Sequence, residues 1–145
     1  MSRAVSIDTG RIVDSLMAGT ALGAMASAGV RPALLLADHE PGVRKAVLNC
    51  LRRVAMDMAH YLDGANFWPA EPQLLLRDDV GADTELTAAA VEQAVELQVL
   101  RMFYAAAQED AVVRVLDGEV RGARRALVAM LQGSLPAPGR IRGSC

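Results

Sequence analysis

Between Thr84 and Leu131 the chain reads TELTAAAVEQAVELQVLRMFYAAAQEDAVVRVLDGEVRGARRALVAML, with no proline anywhere in the run. Apolar residues recur at Val91, Val95, Val99, Met102, Phe103 and Ala106, then at Val112, Leu116, Val120, Ala123, Leu127 and Met130. Steps of three and four place each series on one helical face, so the stretch predicts two long helices. A turn or kink near Gln108, Glu109 and Asp110 separates them; one continuous helix is the alternative. Leu97, Leu100 and Tyr104 add a second apolar strip to the first of the two, wider than one core-facing stripe requires. That helix is expected to have neighbours on two sides.

Composition agrees with helix packing. Apolar residues make up 52% of the 145 residues and aromatic residues only 3%, a balance of Ala, Leu, Val and Met that suits helices better than sheets. One all-α domain is expected, long enough to bury a core. A net charge of -2 argues against a protein devoted to coating nucleic acid. Two cysteines, Cys50 and Cys145, give neither a disulfide framework nor metal-ligand spacing, which points to a reducing compartment. No signal peptide or membrane-spanning run is evident, so the expectation is a soluble protein made in the cytoplasm.

Upstream, Asp8 and Thr9 are candidate caps for a first helix with Ile12, Val13, Leu16 and Met17 inward and Arg11, Asp14 and Ser15 away from the core. Its continuation, GTALGAMASAG, aligns Gly19, Gly23 and Ala26, either a fraying helix end or a close-approach face. A second helix follows Pro41, with Val47, Leu51, Val54, Met58 and Leu62 inward and Gly64 as its stop. Its outer residues Arg44, Lys45, Arg52 and Arg53 face only one acid, Asp57, and read either as a solvated face or as a phosphate-contacting stripe.

The segment from Ala65 to Asp83 is an irregular, acidic insert, in which Leu74 to Leu76 can form a short strand or an extended arm. Asp78, Asp79 and Asp83 carry much of its charge. Phe67 and Trp68 suit a plug for the bundle end or an anchor for a partner. After Gly133 the tail SLPAPGRIRGSC has no acid and two prolines, which makes it extended: either a free tail, or an arm that orders on a neighbouring subunit with Ile141 as apolar anchor and Arg140 and Arg142 as charge contacts. The division is therefore a helical domain over 1–133 and an arm over 134–145, a four-helix bundle-like unit with an insert between its second and third helices.

No catalytic or cofactor constellation emerges. Asp57 and His60 make one partial match to the paired Glu-x-x-His elements of a di-iron bundle, which needs two such elements and two more Glu. Asp38, His39 and Glu40 are adjacent and converge poorly on one ion. No phosphate loop, nucleophile elbow or HExxH occurs. Neither enzyme activity nor a metal or cofactor is expected.

The order of segments does resemble a family. A short helix (IVDSLMAGTAL), a longer helix ending near an aromatic pair (VLNCLRRVAMDMAHYLDGANFW), an insert, and then the Ala-rich helix with Arg101-Met102-Phe103 before a charged helix resemble the head-to-tail adaptor proteins of tailed phages. Among these the chain is most similar to the tail tubular and adaptor proteins of short-tailed phages, with a shorter insert. The resemblance implies a virion protein of the neck or tail, a ring of identical subunits, commonly twelve. That ring docks on the portal protein, meets a downstream tail or nozzle protein, and extends a channel through which DNA passes without specific binding or any membrane contact. The acidic insert then faces the channel, and the arm and basic helix face serve portal or subunit contacts. Two other classes stay open. One is a small helical nucleic-acid-binding packaging or regulatory protein using Arg44, Lys45, Arg52 and Arg53; the other is a ligand-binding bundle lined by Met17, Met58, Met102 and Phe103.

Overall fold

The computed structural model describes residues 2–18, 40–68, 72–106 and 108–133. The small-residue run, the loop at Asp38 and His39, Pro69 and Glu71, and the arm with Arg140, Ile141 and Arg142 lie outside the described residues.

Helix α3 (Thr84–Ala106) is the hub. It packs against α4 (Asp110–Gly133), α2 (Glu40–Asp57), α1 (Thr9–Ala18) and strand β1 (Arg3–Ser6). Buried residues on α3 between Thr87 and Leu100 point in every direction around the axis, which is why its apolar strip is wider than a surface helix needs. Helix α4 shows the opposite pattern. Only Val112, Leu116, Val120, Leu127 and Leu131 are buried, a single stripe that docks on α3 and barely touches α2.

Two of the helix starts have a local cause. Asp8 Oδ1 accepts the Arg11 N–H at 2.9 Å and caps α1. Asp83 Oδ1 accepts from the Glu85 and Leu86 N–H groups at 2.7 and 3.2 Å and caps α3. Between α3 and α4 the chain turns at Gln108, the one described non-glycine residue with positive φ, at 61°. The Gln108 N–H bonds Ala105 O and the Glu109 N–H bonds Tyr104 O, the two paired bonds of a Schellman ending. Two helices, not one, occupy this stretch. Because glycine bears the left-handed conformation without a Cβ clash, Gln108→Gly is expected to raise stability by up to about 1 kcal/mol in a urea melt. A loss instead would mean that the Gln108 side chain holds the turn.

The chain is mostly helical, but the all-α expectation needs one correction. A three-stranded antiparallel sheet, in the order β1-β3-β2, joins β2 (Leu62–Asn66), β3 (Gln73–Leu76) and β1. Leu74 and Leu76 alternate with Leu75, and both are buried, so β3 turns one apolar face to the core. Val5 pairs with Leu74 and adds to that face. On the other side Leu62 pairs with Leu76 and Gly64 with Leu75, with an irregularity at Asp63 between them.

The second helix also ends earlier than its apolar period suggests. Gly64 is a strand residue, not a helix stop. Helix α2 closes at Asp57, and a short 3-10 turn, Ala59–Tyr61, leads into β2. Tertiary bonds explain the change: Tyr61 O accepts the Arg77 N–H at 3.0 Å, and His60 O accepts from the Arg77 guanidinium at 2.8 Å. Continued helix would remove both. Among the described residues no helix is long and apolar enough to cross a membrane.

Candidate functional site

The basic residues of α2 do not share one face. Positions 44 and 53 stand nearly opposite each other around a helix of 3.6 residues per turn. Arg44 lies with Leu48 beside Thr9 and Val13 of α1. Lys45 is exposed. Arg52 leans over the Phe67 ring, its guanidinium carbon 5.6 Å from the centroid. Arg53 turns the other way, into a cleft shared with α3 and α4. A single phosphate-tracking stripe is therefore not formed by these four residues.

The acidic residues of the insert divide similarly. Asp78 and Asp79 occupy an exposed turn, where Asp79 pairs with the Arg77 guanidinium at 2.5 Å. Asp83 is engaged by the start of α3. Phe67 is half-buried against the core edge, whereas Trp68 is 71% exposed. Their neighbourhood forms a groove of about 460 Å³ between the end of α2 and β2, lined by Ala55, Met56, Leu62, Ala65 and Phe67 with Arg52 and Asp63. Among the described residues β2 has one strand neighbour, β3, so the groove lies along a sheet edge.

The cleft holding Arg53 is the larger feature, about 590 Å³. α2 contributes Arg53, Met56 and Asp57; α3 contributes Gln98, Arg101 and Met102; α4 contributes Asp117, Val120, Arg121 and Arg124. It opens where α4 leaves α2 while both still touch α3. Two ion pairs brace it. Arg124 grips both oxygens of Asp57 at 2.7 Å, and Arg101 Nε bonds Asp117. Of these four arginines, the sequence singles out Arg53, on the basic face of α2, and Arg101, in the segment that carries the family resemblance. Arg121 and Arg124 look like ordinary surface residues of α4 until the helices are brought together. Met102 faces the cleft, but Met58 is fully buried in the core, so the four residues of a possible apolar pocket serve different surroundings.

A polar seam joins α1 to α3. Arg11, read from the sequence as facing away from the core, bonds both carboxylate oxygens of Glu92 at 2.7 and 2.8 Å, and Glu92 is only 6% exposed. One turn along both helices, Ser15 hydrogen-bonds Glu96. Burial, then the charge of Glu92, pushes the Glu96 carboxyl up to about 7. Cys50 is also buried, which pushes its thiol up to about 11 and leaves it a poor nucleophile, 3.6 Å from the Met102 sulfur.

No protein-family model matches the chain, and the searches of curated proteins and of solved structures return no match.

Proposed function

We propose that the chain is the subunit of a head-to-tail adaptor ring in a tailed phage, docked on the portal and extending the DNA channel. The observation that carries this reading is the face around Met56 and Trp68. These two large apolar side chains are 76% and 71% exposed; Met56 lines the groove beside β2, and Trp68 directly follows Phe67, which lines it as well. Large apolar side chains at a groove and a free strand edge mark protein contact more than solvent exposure. A patch on one side of a subunit that meets a different patch on the next makes a heterologous contact, and such contacts form a ring when the rotation from subunit to subunit closes. The segment order shared with the adaptor proteins supplies the rest of the reading. In it, residues 1–133 are the ring-forming helical domain, 134–145 the arm toward portal or neighbour, and Asp78 and Asp79 the acidic turn toward the channel.

Light scattering on the full chain, alone and mixed with candidate portal protein, tests the proposal. A ring, or a stoichiometric complex formed only with portal, is expected. Met56→Glu with Trp68→Glu is expected to abolish that assembly while leaving the helical circular dichroism unchanged. A monomer or dimer that ignores portal overturns the reading. If that species also shifts DNA in a steeply salt-dependent way, a nucleic-acid-binding protein takes its place.

A further inference from the structure

The adaptor reading touches the cleft between α2, α3 and α4 only through Met56, which lines both this cleft and the groove beside β2, and the charge in the cleft is out of keeping with the rest of the molecule. The whole chain carries -2, yet this cleft gathers four guanidinium groups around two carboxylates. Asp57 is taken by Arg124 and Asp117 by Arg101. Arg53 of α2 and Arg121 of α4 line it from two helices, both exposed, and neither makes an ion pair with a described residue. An anion seated between two unpaired guanidinium groups gains attraction from both.

A second observation is independent of that charge. Gln98 lines the same cleft and is only 8% exposed, and its Nε2 has no hydrogen-bond partner among the described residues. Most buried amide donors are satisfied in folded proteins, so an orphan donor lining a cleft offers a place to an acceptor that arrives from outside. Met56, Met102 and Val120 supply an apolar wall beside it. Volume, a few convergent polar groups and an apolar lining are what small-ligand sites share.

We infer that this cleft binds a small anion carrying two or more acidic groups, held between Arg53 and Arg121 and accepting a hydrogen bond from Gln98 Nε2. Guanidinium groups suit carboxylate and phosphate oxygens alike, since their paired N–H donors match two oxygens of one group. A polycarboxylate with an aliphatic backbone uses the methionine wall as well; inorganic phosphate uses the charges alone. The two sources are therefore separable by experiment.

The test is a thermal-shift and calorimetric titration of the full chain with citrate, and separately with inorganic phosphate, at constant ionic strength set by chloride. Citrate is expected to bind saturably and raise the midpoint. Arg53→Ala with Arg121→Ala is expected to weaken that binding by roughly tenfold or more, the scale of losing two charge-assisted contacts. Gln98→Met keeps the buried volume, removes the orphan donor, and is expected to weaken citrate binding while leaving the ligand-free midpoint unchanged or higher. Tighter binding of phosphate than of citrate would assign the site to a phosphate group. Binding that chloride abolishes, or that survives in the double arginine variant, would overturn the inference. Because the titration is read on the protein alone, its outcome is independent of whether a ring forms on portal.

Discussion

Leu100→Ala is expected to destabilise the protein by about 3–4 kcal/mol, the cost of deleting three buried carbons where neighbours cannot close the gap. The position follows from the hub role of α3. Leu100 is fully buried on the one helix that meets α1, α2, α4 and β1, so partners fixed on several sides surround the cavity. Native stability of a domain is only about 5–15 kcal/mol, so one substitution removes a large share of it. Urea unfolding should show a lower midpoint with an unchanged slope. Leu86→Ala, on the same helix but exposed, serves as the control, with an expected change within about 0.5 kcal/mol. Equal effects at the two positions would mean that α3 is not the centre of the core.

The helices were legible because their cause is local and repetitive. In α4 the buried residues Val112, Leu116, Val120 and Leu127 are those of the apolar series, and the break before it lies at Gln108. The sheet was less so. Leu74 to Leu76 allowed a strand, but β1 is four residues long and its Arg3-Ala-Val-Ser sequence alternates too briefly to stand out. Its pairing with β3 joins residues some seventy positions apart, which no window of sequence reports. The end of α2 is hidden for the same reason, since Arg77, within the insert, captures the His60 and Tyr61 carbonyls just past the helix. Charged residues were hardest to place. Basic residues grouped on α2 by sequence separate around the helix, while arginines from three helices meet in a cleft that no single segment announces. Likewise Arg11 looks solvent-facing by period, yet it reaches Glu92 because a long side chain can cross from the helix flank to a neighbour.

That crossing leads to the second large effect, a dependence of stability on pH centred on Glu96. In the unfolded chain the carboxyl titrates at its ordinary 4.5, and in the folded protein burial beside Glu92 pushes it up to about 7. Between those two values the folded state holds a proton that the unfolded state has released. Stability from this group is therefore greatest below the lower value, falls as pH rises through the window, and levels off above about 7. The full difference between the two values is reduced by solvent, as Glu96 is not wholly enclosed, to a contribution of about 1–2 kcal/mol. Glu96→Gln imitates the protonated form. It is expected to match the wild type at acidic pH and to exceed it by that amount at about pH 8, flattening the curve between. Arg11→Ala should act in the opposite direction. It leaves Glu92 and Glu96 facing each other with no cation between the helices, so its penalty should be larger at alkaline than at acidic pH, where protonated Glu96 no longer repels Glu92. Urea midpoints of the three proteins across this range decide the matter. Parallel curves for wild type and Glu96→Gln would show that the proton bound on folding sits elsewhere, and an Arg11→Ala penalty independent of pH would show that Glu92 alone, and not the pair of acids, needs the guanidinium.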